Sequence, residues 1–301
     1  MSRSRCVSLV VCALVFLAGR GAGAQGAPPF DATLLPTLRR AAELVPGDKP
    51  TSVHVITLGP RRGALAGMVQ GAAPADSITA GYPAFQVRYR HDWIVVDAGM
   101  GREFFRDTTR FSAPAYDTIQ RAVRDARMVL FTHEHHDHVA GALRSQYLAQ
   151  VKAHTLLTRE QVGTLMEHPS DARVKLDSAA AAEWLTIDYQ GWLPIAPGVV
   201  LVKAPGHTPG SQMVYVRLAS GREILISGDV AWHLSGVTGS RQKPPKTSQA
   251  MGEDTVAIAP QLAWLREVGA AGVAVVVSHD EDSIADLARR GVLVRGFDLR
   301  H

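Results

Sequence analysis

Four potential metal ligands fall within six residues in Thr132-His133-Glu134-His135-His136-Asp137-His138, spaced His-x-His-x-Asp-His. Imidazoles and a carboxylate gathered this closely suit a transition metal such as zinc, and a coordination position left open to water would make the site catalytic. Further candidates lie far along the chain. His207 sits in Gly206-His207-Thr208-Pro209-Gly210, Asp229 in Ser227-Gly228-Asp229, and His279 in Ser278-His279-Asp280. Each of the four places follows an apolar run that reads as a strand, at residues 128–131, 199–204, 223–227 and 273–277. Core histidines scattered at random would not favour strand ends so consistently, so the set points to a two-metal site. Glu134 and His136 occupy the x positions and are read as solvent-facing or supporting groups.

The elements that must hold these residues come from hydrophobic periodicity. A short helix is expected near 35–44, and the first strand at 52–58. The stretch 59–83, rich in Gly, Ala and Pro, reads as a long loop or a hairpin with a flexible tip. A hairpin follows, 85–90 with 93–96, closing at Asp97-Ala98-Gly99. Helices are expected at 114–126, 159–166, 254–268 (kinked at Pro260) and 282–290, and a short strand at 151–156. Residues 168–189 read as part helix and part loop. Strands at 213–218 and 223–227 are joined through Ser220-Gly221, and residues 232–251 read as a loop carrying Arg241, Lys243 and Lys246. The order suits two packed sheets with helices outside. No fixed-period repeat or linker is visible, so residues 25–301 read as a single domain. Within it Trp232, Met68 and His233 are candidates for a substrate pocket, and His54 is read as structural.

Composition narrows the function. The 301 residues are 46% hydrophobic and 20% charged, which suits a globular chain with a sizeable core. Residues 1–24 read as a signal peptide: Arg3 and Arg5, an apolar run at 9–18 too short to span a bilayer comfortably, then Ala22-Gly23-Ala24 as a cleavage site. The protein is therefore expected to be exported, periplasmic or secreted, with no stable membrane anchor after cleavage. Removing that segment takes away Arg3, Arg5 and Arg20 and lowers the formal charge from +4 to +1, which argues against nucleic acid as a partner. Both cysteines, Cys6 and Cys12, leave with it, so the mature metal site must use His and carboxylates. A small-molecule substrate is expected.

Taken together, His-x-His-x-Asp-His, the Gly-His-Thr-Pro-Gly turn, Ser-Gly-Asp and the strand-end His resemble the metallo-β-lactamase-fold hydrolase superfamily, over nearly the whole span from His54 to Gly296. The resemblance implies an α+β fold, an αββα sandwich of two mixed β-sheets with helices on the outer faces. It implies that His133, His135 and His207 hold one metal, that Asp137, His138 and His279 hold the other, and that Asp229 bridges them. Asp97, in Val-Val-Asp-Ala-Gly, matches the Asp that braces the ligand loop in this superfamily. Two zinc ions are expected, with iron or manganese as alternatives. Two metals ~3.5–4 Å apart can share a hydroxide and polarise a carbonyl oxygen, with Asp137 as general acid–base. The bridging Asp229 resembles the lactonase-like, dinuclear branch, which implies attack on a lactone or ester carbonyl; β-lactam amide hydrolysis is the alternative. The lactonases usually carry a Tyr three residues after the bridging Asp, where this chain has Trp232.

Overall fold

The computed structural model describes residues 26–301, so the expected signal peptide and its cleavage point lie outside the described residues. In chain order the elements are α1 (Leu34–Ala41), β1 (Ser52–Ala64), β2 (Ser77–Arg88), β3 (Trp93–Val96), α2 (Ala113–Asp125), β4 (Met128–Leu130) and α3 (His136–Leu143). Next come α4 (Leu148–Lys152), β5 (Thr155–Thr158), α5 (Arg159–Glu167), α6 (Ser178–Ala181), β6 (Leu185–Ile187), β7 (Trp192–Ala196) and β8 (Val199–Lys203). The last third holds β9 (Gln212–Arg217), β10 (Glu223–Ile226), α7 (Leu234–Thr238), α8 (Pro245–Met251), α9 (Thr255–Ala270), β11 (Ala274–Val276), α10 (Glu281–Arg289) and β12 (Val294–Arg295).

The strands form a seven-stranded sheet, β12-β1-β2-β3-β4-β5-β6, and a five-stranded sheet, β11-β10-β9-β8-β7. Both are mixed: β1, β2 and β3 pair antiparallel, while β3 to β6 run parallel. Side chains alternate across each strand, and this alternation builds the layers. Ile94 and Val96 of β3 point between the sheets and meet Val199, Leu201, Val214 and Ile226. Trp93 and Val95 of the same strand point the other way, under Ile119 and Val123 of α2. On the far face, Val200, Met213 and Leu225 pack against Leu38 of α1 and Leu262 and Leu265 of α9. The result is an αββα sandwich of two mixed sheets with helices on its outer faces.

Several local expectations are corrected. The stretch 151–156 is not one strand; Val151 and Lys152 close α4 and the strand starts at Thr155. Six apolar-rich residues are too few for periodicity to separate the two. β7 escaped the sequence reading because Pro194 argues against a strand, yet β7 is a sheet edge, where a missing N–H is tolerated. The 232–251 stretch contains α7 and α8 rather than only loop: Pro245 occupies the first turn of α8, and Gly252 ends it at φ +70°. Residues 59–83 resolve into the long arms of the β1–β2 hairpin, with a bulge where Leu58 pairs with Tyr82 but Arg61 pairs with Ala80. His54 plays the structural part expected of it, its Nδ1 2.9 Å from the carbonyl of Gly296 beyond β12.

One contact places the metal turn. α3 begins at the end of β4 and lies against the Asp97-Ala98-Gly99 turn that closes β3. The Gly141 N–H donates to the Gly99 carbonyl (2.8 Å), and the Ala98 N–H to the His138 carbonyl (2.8 Å). A Cβ on Gly141 would land against the Ala98 carbonyl oxygen, which is backbone and cannot swing away. Gly141→Ala should therefore lower stability by about 1–3 kcal/mol, as overpacking does, although Ala is the better helix former. Urea unfolding checks this, and a stability equal to wild type would show that the helix is free to shift.

Candidate metal centre

The strands deliver the ligands to one edge of the sandwich. β4 runs through Phe131 and Thr132 into His133, His135 sits at the N-cap of α3, and Asp137 and His138 occupy its first turn. The turn after β8 carries His207, a one-turn 3-10 helix after β10 carries Asp229, and the chain leaving β11 carries His279. Their polar atoms converge in three overlapping groups, His133–His135–His207, His133–His138–Asp229 and Asp137–His138–His279, with the ligating atoms of each group within 4.8 Å of one another. His135 Nδ1 lies 3.1 Å from His133 Nε2 and 3.0 Å from His207 Nε2. Asp229 stands between the groups. Its Oδ2 is 3.4 Å from His207 Nε2 and 3.1 Å from His279 Nε2, and its Oδ1 is 3.5 Å from His138 Nε2. Asp137 Oδ2 is 3.6 Å from both His138 Nε2 and His279 Nε2.

The outer nitrogens decide what the inner ones are. His138 Nδ1 faces Asp97 Oδ2 at 2.9 Å, His207 Nδ1 faces Glu253 Oε1 at 2.6 Å, and His279 Nδ1 faces the Gly81 carbonyl at 2.7 Å. Each of these partners only accepts, so each Nδ1 carries the hydrogen and donates. In the neutral rings every Nε2 then presents a lone pair inward, toward other lone pairs and toward carboxylates. His138 Nε2 and Asp229 Oδ1 are buried and have no hydrogen-bond partner. Inward lone pairs beside two carboxylates repel unless a cation lies among them, and acceptor-pinned imidazoles are how metal-binding histidines are held. The donor set fits the expected metals, with His133, His135 and His207 on one side and Asp137, His138 and His279 on the other.

Asp97 lies where the resemblance expects a brace, beneath Thr132 and His138. It accepts from the Thr132 N–H (2.7 Å), from Thr132 Oγ1 (2.8 Å) and from His138 Nδ1. It does so in the left-handed region, at φ +60°, a conformation that Asp tolerates better than most residues but that still stores strain. Glu134 is buried, and both its carboxylate oxygens are engaged outside the candidate ligand set. It accepts from Thr208 Oγ1 (2.8 Å) and the Gly210 N–H (3.1 Å), which shapes the turn bearing His207.

Two residues of this network were not legible in the sequence. Glu253 fixes His207, and Lys243 Nζ bonds both Glu253 Oε1 (2.5 Å) and the Asp229 carbonyl (2.7 Å). Lys243 is 4% exposed, so its place is internal rather than on a solvated loop. No local pattern marks either one; Glu253 follows Gly252 between two helices. Trp232 donates its indole N–H to Asp229 Oδ2 (2.7 Å), and its ring, with Met68, Tyr82, Met251, Asp137 and His279, lines a cavity of about 220 Å³ at the ligands. His233 does not join that lining. It is the N-cap of α7, and its Nε2 turns to Asp280 Oδ2 at 3.2 Å. The acceptor on Asp280 outcompetes the mainly apolar cavity for the ring.

Charge follows the geometry. Burial holds His133 well below the usual imidazole range and His135 down to about 3. Burial also opposes charge on His138, yet the Asp97, Asp137 and Asp229 carboxylates outweigh it and push the ring up to about 10; Asp229 does the same for His279. Glu253 is buried too, but its contacts with His207 and Lys243 bring it down to about 2.

The domain pattern of the β-lactamase superfamily matches residues 92–267, which span Asp97, the His-x-His-x-Asp-His stretch, His207 and Asp229. No curated protein matches the chain. Among solved structures, a quorum-quenching N-acyl homoserine lactone lactonase is similar at TM-score 0.58 and 15% identity, over 78% of this chain and 94% of the other. The dizinc quorum-quenching lactonase AidC, solved with a product, gives 0.56 and 14%, over 77% and 88%. A probable metal-dependent hydrolase from Staphylococcus aureus gives 0.53 and 14%, over 77% and 91%.

Two outcomes follow from the pinned imidazoles. Asp97→Asn and Glu253→Gln should each weaken metal affinity about 10–100-fold, as loss of a ligand's partner does, measured by competition with a chromogenic chelator; unchanged affinity would show that neither carboxylate orients its ligand. The second concerns protons. A raised folded pKa means that His138 holds its proton at pH 7 when no metal is bound, and metal must displace it. Adding zinc to metal-stripped protein in weak buffer at pH 7 should release about one proton per chain from His138. The release should fall as pH rises toward about 10, the value to which His138 is pushed. Uptake without acidification would contradict the assignment. The chain belongs to the β-lactamase superfamily, and is a metallo-β-lactamase-fold hydrolase.

Proposed function

We propose that the protein is an exported, dinuclear zinc-dependent hydrolase that opens lactones or related esters. The observation that carries the reading is the buried convergence of inward Nε2 lone pairs with Asp229 and Asp137, directly at the mouth of an apolar cavity. Two zinc ions held by these seven residues would supply a water ionised near neutral pH and a Lewis acid for the substrate carbonyl.

The chain's own groups do the rest. Met68, Tyr82, Trp232 and Met251 form walls that exclude water and take the acyl portion of a substrate. Trp232 also fixes the carboxylate of Asp229 through its indole N–H, so its polar end is already engaged and its ring remains as a wall. Asp137 is the ligand-set carboxylate that borders the cavity. Burial opposes its ionisation, but in the metal-free protein charge on His138 and His279 holds it below the usual carboxylate range, and cations bound among the same residues would keep it ionised in their place. It is placed to accept the proton of the attacking water at Oδ and to return it to the departing alkoxide. Lactones and esters are favoured over β-lactams by the bridging position of Asp229 and by the likeness to lactonase structures. Export rests on the Arg3 and Arg5 start, the apolar run and Ala22-Gly23-Ala24.

A panel of γ-lactones, aryl esters and nitrocefin tests the reading on protein with two zinc ions per chain. Lactone or ester turnover is expected, and Asp137→Asn should reduce kcat by about 10²-fold or more, the scale of a lost general acid–base. Turnover of nitrocefin alone would reverse the substrate order, and hydrolysis undiminished in Asp137→Asn would remove that residue from proton transfer.

A further inference from the structure

A second cavity, of about 390 Å³, adjoins the metal cleft and shares three walls with it: Arg61, Tyr82 and His136. Its remaining lining includes Phe104, Phe105, Arg106 and Arg110. Three arginines thus line one concave, aromatic-floored space, and no carboxylate lines it. Among the described residues, Arg61 and Arg106 make no ion pair or side-chain hydrogen bond. Arg110 gives one terminal nitrogen to the Gly59 carbonyl, while its Nε is buried without a partner. Several other arginines that border pockets or the surface are paired, as Arg39 with Glu223, Arg124 with Asp125 and Arg173 with Asp171. Glu103 and Asp171 line an adjoining space that shares Phe104, Phe105, Arg106 and His136 with this one, but Asp171 is already held by Arg173 and neither carboxylate pairs with Arg106.

The backbone builds this arrangement. The β1–β2 bulge puts Gly59 and Pro60 opposite one residue, and Arg61 follows directly after it. A bulge of this kind re-aims the next side chain. Gly59 adopts φ +54°, and any Cβ there would strike the Phe105 ring, so glycine admits the aromatic floor under the hairpin while its carbonyl anchors Arg110. Phe105 meets Tyr82 edge-on (5.7 Å), and Phe104 stacks on His136 (5.5 Å, 20°). Unpaired like charges around a concavity repel one another and raise the local anion concentration. A guanidinium matches a carboxylate bidentately.

We propose that this cavity is an anion subsite, and that it takes a carboxylate on the substrate's acyl chain while the scissile carbonyl sits at the metal cleft. The proposal rests on the hydrolase reading and deepens it: the substrates are acidic acyl compounds, with methylenes or a ring lying over Tyr82, Phe104 and Phe105 and the charge held by Arg61, Arg106 and Arg110.

The test uses a matched pair, monophenyl adipate and the phenyl ester of adipamic acid, which differ only in a terminal carboxylate or carboxamide. Wild-type protein should favour the carboxylate in kcat/KM by about tenfold at low salt, less as ionic strength rises. Arg106→Gln should bring that ratio near unity, and Arg106→Glu below it. A wild-type ratio near unity, or a ratio unmoved by either variant, overturns the proposal. Calorimetry with adipate and adipamide is independent of turnover. Adipate should bind the purified wild type about tenfold more tightly than the Arg61→Gln/Arg106→Gln double variant, with adipamide equal on both. Equal adipate binding would place the carboxylate elsewhere, at the metals, and sink the subsite. If neither ester is hydrolysed, the ester part of the functional reading fails while the calorimetry still decides the subsite.

Discussion

The interior edge where His133, His138, His207, Asp229 and their neighbours meet has no stable arrangement as an ordinary protein core. Nitrogen lone pairs and carboxylate oxygens lie 3.0–3.8 Å apart, shielded from water. What makes the arrangement tolerable is a division of each ring into two ends. The outer nitrogen of His138, His207 and His279 is fastened to Asp97, Glu253 or Gly81, and the inner one is left for a cation. The sandwich serves this requirement. β3 and β4 run parallel, so that Asp97 and Thr132 leave the sheet side by side, and α3 docks over them tightly enough that Gly141 has no room for a side chain. Without a counter-cation the same groups must hold extra protons, as the elevated His138 does.

The candidate ligands could be read from the sequence because their position is tied to strand ends, and strand ends follow from apolar runs bounded by Gly, Pro and Ser. Asp97 was legible through the resemblance, as the Asp of Val-Val-Asp-Ala-Gly. The two-sheet architecture was legible from the order of strands and helices along the chain and from the resemblance that the ligand motifs carry. What escaped was held by contacts distant along the chain. Glu253 reaches His207 across 46 residues, and Lys243 is buried against Glu253 and the Asp229 carbonyl although its own neighbourhood reads as polar loop. β7 was hidden by Pro194, which only an edge position permits, and α8 by a Pro-Pro pair that marks a helix start as readily as a loop. His233 shows the converse error. Proximity in sequence to Asp229 suggested the cavity, but the one-residue offset from Trp232 gives it to Asp280 instead.

The β1–β2 hairpin joins functions that other elements keep apart. The bulge between Leu58 and Arg61 faces Gly81, whose carbonyl fastens His279, while Ala80, Gly81 and Tyr82 wall the cleft. A loop that merely covered the cleft could drift in length and sequence without touching the chemistry. Here the strand that shapes what enters also sets the tautomer of a ligand, through a backbone atom that no side-chain substitution can replace. Selectivity in this protein therefore cannot be exchanged as a detachable part. A hairpin transplanted from a relative would bring its own register to the Gly81 carbonyl, and with it a new orientation for His279, so new substrate ranges are reached more readily through side chains at Arg61, Met68 and Tyr82 than through changes in hairpin length.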